Sequence, residues 1–219
     1  ASMDIAMIPN GCDLDIFTPA NRSELTLRGV NPGDTVAIFT GAHGIANGLD
    51  AVLDAARVLL KRQRPDIKIA FIGSGKIKQH LMDRAAAEQL DNCLFFVPVP
   101  KVELNQIVAS VDVGLMILKN VPAFYYGTSP NKFFDYIASG LPVLNNYPGF
   151  LADLITEHDC GVVTPPDDPE AFADGLIKLA DSPELRRRCG VNARKLAEAE
   201  FSREKLSGAF VDFLEKANA

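Results

Sequence analysis

The chain has 219 residues, 47% of them apolar, with 22 basic against 28 acidic side chains and a net charge of −6. Its near-average composition excludes disordered, collagen-like and coiled-coil chains, and a chain this long buries roughly 70% of its unfolded surface without staples. The acidic balance speaks against a nucleic-acid binder, which needs a basic face, and no apolar run reaches the ~20 residues of a membrane span.

Ala1, Ser2 and Met3 read as residues added ahead of a natural start. Asp13 and Asp15 form a D-x-D pair among turn residues, where their carboxylates are expected on nearby amides rather than on a metal. Residues 18–34 are the loosest part of the chain. The run 36–39 (VAIF) is a strand that stops before Gly41. Leu49, Val52, Leu53, Ala56, Leu59 and Leu60 recur at helical spacing. A strand follows at 67–72, a helix at 77–90, a strand at 94–97 and a helix at 102–110. Next come a strand at 113–118, a helix at 131–138, and strands at 142–144 and 161–163. Helices at 169–180, 183–199 and 202–217 end the chain. The four cysteines have no C-x-x-C pair, so reduced and buried thiols are expected.

Strands separated by helices are βαβ units. The class is therefore α/β, a doubly wound parallel sheet with helices on both faces, in one domain over 1–219. The strand runs are continuously apolar, as strands covered on both faces must be. In such a sheet ligands bind beyond the carboxyl ends of the strands. That rule selects the loops 40–48, 73–76, 98–101, 119–131, 145–149 and 164–168.

Gly41, His43 and Gly44 open the first of these loops, ahead of a helix. The glycines let backbone approach a ligand, and the helix start favours an anion. His43 is the one histidine in a ligand loop. The spacing is not G-x-G-x-x-G, so a nicotinamide enzyme is disfavoured. Gly73, Ser74, Gly75 and Lys76 fail the P-loop pattern and read as a turn. Residues 125–149 carry the densest signal. Ser129 is placed to cap a helix with Pro130 at its first position, and Asn131 and Lys132 fall in the first turn. Free amides and an ammonium make an anion site, and Asp135 on the same face suits a ribose diol. The segment reads as a cradle for a nucleotide diphosphate. Val99, Pro100 and Lys101 are expected to meet the base, from a loop leaving a central strand.

The chain resembles the C-terminal, donor-binding domain of group 1 retaining glycosyltransferases with the GT-B fold. Ile8-Pro9-Asn10-Gly11 with Asp13, Phe17 and Pro19 resembles that family's "I-P-N-G-V-D…F-x-P" run, and Ile72–Gly75 its "V-G-D-G-P" turn. The "A-D-V" strand approach is matched over 109–115, "E-A-M-A-C-G-x-P-V" over 135–143, and "G-x-L-V-x-P-x-D" by Gly161, Val162, Val163, Pro165 and Asp167. The resemblance places the family's ribose Glu on Asp135 and its donor-sugar Glu on Gly127, beside Thr128. The family's diphosphate Arg and Lys fall on Ala42 and Asn47. Residues 127–135 (GTSPNKFFD) resemble a subgroup acting in bacterial surface-polysaccharide assembly, where Lys132 replaces those cations.

The resemblance implies a nucleotide diphosphate sugar as donor, a UDP-sugar foremost, and a glycan or lipid-linked acceptor. It implies no cofactor and no metal. The catalytic residues are unknown and belong to an N-terminal acceptor domain absent here. That domain is the expected partner, with peripheral membrane association through it. Nucleic acid is not expected. The expected location is cytoplasmic, at the inner membrane face for the intact protein. The alternatives are a sugar-nucleotide epimerase of the same fold and a non-catalytic sugar-nucleotide-binding module.

Overall fold

The computed structural model describes residues 5–19 and 27–217. The reading of Ala1–Met3 and the centre of the loose 18–34 segment lie outside the described residues.

Six parallel strands form one sheet: β1 (Thr35–Thr40), β2 (Ile67–Ile72), β3 (Cys93–Phe96), β4 (Val113–Met116), β5 (Val143–Asn145) and β6 (Gly161–Val163). Their order is β3-β2-β1-β4-β5-β6. The chain thus winds outward from β1 in one direction and then, from β4, in the other. Every residue of β1 and β4 is buried.

Among the described residues seven helices cover the sheet. On one face lie α1 (Asp50–Lys61), α2 (Lys78–Ala87) and α6 (Pro169–Asp181), whose Leu53, Leu59, Leu81, Phe172 and Leu176 share a core with Phe39 and Phe71. On the other lie α3 (Lys101–Ala109), α4 (Asn131–Ala138), α5 (Phe150–Glu157) and α7 (Pro183–Glu200), packed through Ile107, Phe133, Ile137, Leu151 and Leu196. The last helix, α8 (Arg203–Ala217), follows α7. Local chemistry starts α6 and α7. Asp168 accepts the Ala171 N–H and Ser182 accepts the Leu185 N–H, each before a proline.

Three expectations change. Helix α5 was not expected, although Leu151, Leu154 and Ile155 have the spacing of a helix face. Strand β3 is an edge strand, half-buried throughout, so the loop over residues 97–100 does not leave the sheet centre. The helix expected over 77–90 ends at Ala87, because Gln89 turns into the left-handed region (φ 54°). The four cysteines are free thiols, three buried and Cys93 half-buried.

One buried side chain ties the two halves of the sheet to α4. The Tyr136 hydroxyl accepts the Thr40 N–H (2.9 Å) and donates to Ile38 O (3.2 Å). Its ring lies where a Cβ on Gly114 would collide with it, 2.5 Å from Cδ2, so β4 needs glycine there. We expect Tyr136→Phe to leave the Thr40 amide without that acceptor and to cost about 1–3 kcal/mol. A shift of the denaturation midpoint with unchanged m-value checks this; an unmoved midpoint contradicts it.

Candidate functional site

Strand order reverses between β1 and β4. Ligands of such sheets bind beyond the carboxyl ends at this point, where the loop after β1 faces the start of α4, with Lys132 Cε 3.7 Å from where a Cβ on Gly41 would be. The 41–48 loop is braced from beneath. His43 N–H donates to Ser74 O (2.8 Å), and Ile77 N–H donates to His43 O (3.2 Å). Gly73 and Gly75 permit this contact: an ideal Cβ would lie 1.9 Å from Gly41 O and 2.4 Å from His43 O. Lys78 completes the brace with hydrogen bonds to Gly73 O and Phe96 O. The 73–76 segment is therefore a supporting turn, as its sequence reads.

The loop leaves Gly41 and Ala42 exposed and turns the His43 imidazole inward. That ring is fully buried near Phe39 and Phe71, with centroids 5.8 and 6.3 Å away. Burial, with Lys78 and Lys132 nearby, pushes its pKa down to about 4. His43 was expected to present a titratable donor in the loop. Instead its backbone serves the loop, and the ring stays neutral at physiological pH.

Helix α4 aims its first turn at this loop. Pro130 flanks the helix with extended backbone (φ −72°, ψ 129°), and Ser129 does not cap it. The Ser129 hydroxyl is taken by the Asn10 N–H (3.0 Å), and the Asn10 side-chain amide donates to Ser129 O. A partner 119 residues away thus overrides the local cap. The Phe133 N–H reaches back to Pro130 O, so the amides of Asn131 and Lys132 lie ahead of the first closed turn.

Lys132 reaches from α4 to the loop after β1. Its ammonium sits 3.7 Å from the Phe39 ring centroid, its Cε lies 3.7 Å from where a Cβ on Gly41 would be, and it donates to Asn47 Oδ1 at 3.4 Å. Asn47 itself is held by a bond to Ala42 O (2.7 Å). Burial pushes the Lys132 pKa down to about 7. Among the described residues no carboxylate pairs with it.

Asp135 stands one turn along α4. Burial pushes its pKa up to about 6, Lys101 and Arg203 pull it down, and Asp13 pushes it up. The Asp13 carboxylate, expected on nearby amides, instead forms ion pairs with Lys101 and Arg203. Those cations hold its own pKa below the usual range. The network joins the start of α3, the start of α8 and the Asn10–Asp13 segment around Asp135.

The remaining expected residues are more scattered. Val99 packs against the core, and Pro100 O accepts the Leu104 N–H. Gly127 is exposed, and Thr128 donates to Phe124 O (2.9 Å). Phe39, Asn10, Tyr136 and Arg203 were missed as site supports. Asn10 lies in the I-P-N-G run, the one signal that pointed toward it. A separate cavity of about 380 Å³ lies past the 45–48 turn, lined by Gly48, Asp50, Lys119 and Asp167 among others and by none of the expected site residues. No group of three or more metal-ligating side chains occurs among the described residues.

The family model described as "Glycosyl transferases group 1" matches residues 27–196. D-inositol 3-phosphate glycosyltransferase of Paenarthrobacter aurescens is 29% identical over 231 residues, covering 94% of this chain and 53% of its own. HepE of Anabaena, solved in complex with UDP-glucose, has a TM-score of 0.78 at 16% identity, covering 94% of this chain and 56% of that one. The C-terminal domain of LpcC, a glycosyl transferase group 1 family protein of Francisella tularensis, has a TM-score of 0.70 at 20% identity, covering 88% of this chain and all of that one. The chain spans about half the length of the curated relatives it matches.

Proposed function

The chain belongs to the group 1 glycosyl transferases, and from that premise we propose that it is the donor-binding half of a sugar transferase. Its donor is a nucleotide diphosphate sugar, with UDP as the nucleotide. One observation carries this reading: an ammonium without a carboxylate partner, reaching from the first turn of α4 to the glycine loop at the sheet's switch point. That arrangement suits a diphosphate and little else of comparable size.

In the transfer step the leaving diphosphate gains negative charge. Lys132 and the amides of Asn131 and Lys132 lie ready to meet it, with no reorganisation at the moment of reaction. Asp135 accepts the ribose hydroxyls and fixes the nucleoside. The UDP-glucose complex of HepE, a structural neighbour, supports the choice of uridine. Transfer with retained configuration to a glycan or lipid-linked acceptor, in surface-polysaccharide synthesis, belongs to the same proposal. The acceptor and the general base come from an N-terminal domain. No helix among the described residues is long and apolar enough to cross a membrane.

The test is a transfer assay on this chain and on a protein carrying both domains. We expect this chain to bind UDP and transfer nothing, and the longer protein to transfer sugar from a UDP-sugar. Transfer by this chain at the longer protein's rate contradicts the division of labour. Binding without transfer by the longer protein favours a binding module, a reading that Gly127 at the donor-sugar position supports.

A further inference from the structure

We propose that the Phe39 ring is a platform that positions the Lys132 ammonium for the donor diphosphate. The inference rests on the nucleotide reading above and adds to it a positioning residue that itself touches no ligand.

A lysine in the first turn of a helix is among the most mobile of side chains, and ordering it anew for each ligand costs affinity. Lys132 is ordered in advance. Its Nζ lies over the face of the Phe39 ring, 3.7 Å from the centroid, and donates to Asn47 Oδ1. Both supports are themselves fixed. Phe39, in β1, is fully buried in the core that it shares with Leu53 and Phe71. Asn47 is held through its side-chain amide on Ala42 O.

The chemistry of the support decides what the ammonium can still do. A carboxylate would hold it more strongly, but would also neutralise it and repel a diphosphate. An aromatic ring attracts a cation through the negative face of its quadrupole and carries no net charge. The ammonium is held and keeps its full charge for the ligand. Asn47 works on the same terms: a neutral oxygen takes one N–H of the three and sets the direction of the others. The neighbouring cation cannot stand in, because the Lys78 ammonium is taken by Gly73 O and Phe96 O.

The experiment is a double-mutant cycle read by calorimetric titration with UDP and with uridine at pH 6.5, on wild type, Phe39→Leu, Lys132→Met and the double variant. We expect Phe39→Leu to lower UDP affinity about three- to tenfold and to leave uridine unchanged. In the Lys132→Met background the same substitution should cost UDP nothing further. The wild-type chain gives an independent readout by NMR with labelled lysine. The Lys132 Hε protons, assigned by their loss in Lys132→Met, should be shifted upfield of the other lysines by the ring current and stay so with UDP bound. An unshifted signal, free or bound, overturns the platform, and that result needs no Phe39 variant to fold. UDP binding untouched by Phe39→Leu, equal losses for UDP and uridine, or the same loss in the Lys132→Met background overturns it too, and leaves the nucleotide reading standing. A wild-type chain that binds no UDP overturns both.

Discussion

Lys132→Ala lowers affinity for UDP about 10- to 100-fold while changing that for uridine little. The reason is that only UDP brings charge to the site. A charge-assisted contact to a phosphate oxygen contributes about 1.5–3 kcal/mol. The ammonium already stands beside Gly41 and Asn47, so none of that is spent on moving it into place. Paired titrations of UDP and uridine, on wild type and variant at pH 6.5 where the ammonium dominates, read this directly. Equal losses for the two ligands remove Lys132 from the diphosphate site. His43→Ala, in contrast, shows no loss that grows toward pH 6. Its ring is buried and neutral there, and any effect comes from the void it leaves.

Asp135 is expected to act on nucleoside and nucleotide alike. Asp135→Ala removes a charged acceptor from the ribose diol and costs about 1.5–3 kcal/mol with either ligand. Its pKa gives a second readout. Folding raises it from 3.8 to about 6, so the folded state holds the proton more tightly and stability falls as pH rises through that window. Asp135→Asn, which never ionises, is therefore expected to be more stable than wild type above pH 6 and equal to it below pH 4. Thermal denaturation at pH 4 and pH 7 shows it. A gain of stability together with a loss of UDP marks a residue kept for ligand rather than for fold. Loss of both contradicts that role.

Much of the fold is written locally. Continuous apolar runs ending at Gly41 and Gly73 gave β1 and β2 nearly to the residue, and Pro130 and Gly140 bracketed α4. Strand order is not local. The Cys93–Phe96 run is as apolar as a central strand, and only the pairing with β2 alone makes it an edge. Helix α5 is eight residues long, with its apolar positions close to the Pro148-Gly149 turn, and a span that short carries a weak periodic signal.

The site was legible where backbone chemistry decides it. Lys132 and Asp135 follow from spacing on one helix start, whereas Pro130, expected at the first helical position, stands just before it. It was illegible where tertiary partners decide. Glycines on either side of His43 say that backbone approaches there and nothing about the ring, which the Phe39–Phe71 side of the core captured. Ser129 has a capping sequence, but Asn10 took its hydroxyl. Asp13 sat among turn residues, yet Lys101 and Arg203, 88 and 190 positions away, drew its carboxylate outward.

The proposed nucleoside diphosphate site lies beyond the carboxyl ends of β1 and β4, between the 41–48 loop and the start of α4. Calorimetric titration of this chain with UDP, GDP and ADP tests it most directly. We expect one saturable site for UDP, tighter than for GDP or ADP, and weakened by both Lys132→Ala and Asp135→Ala. Binding of none of the three, or UDP binding untouched by both variants, contradicts it.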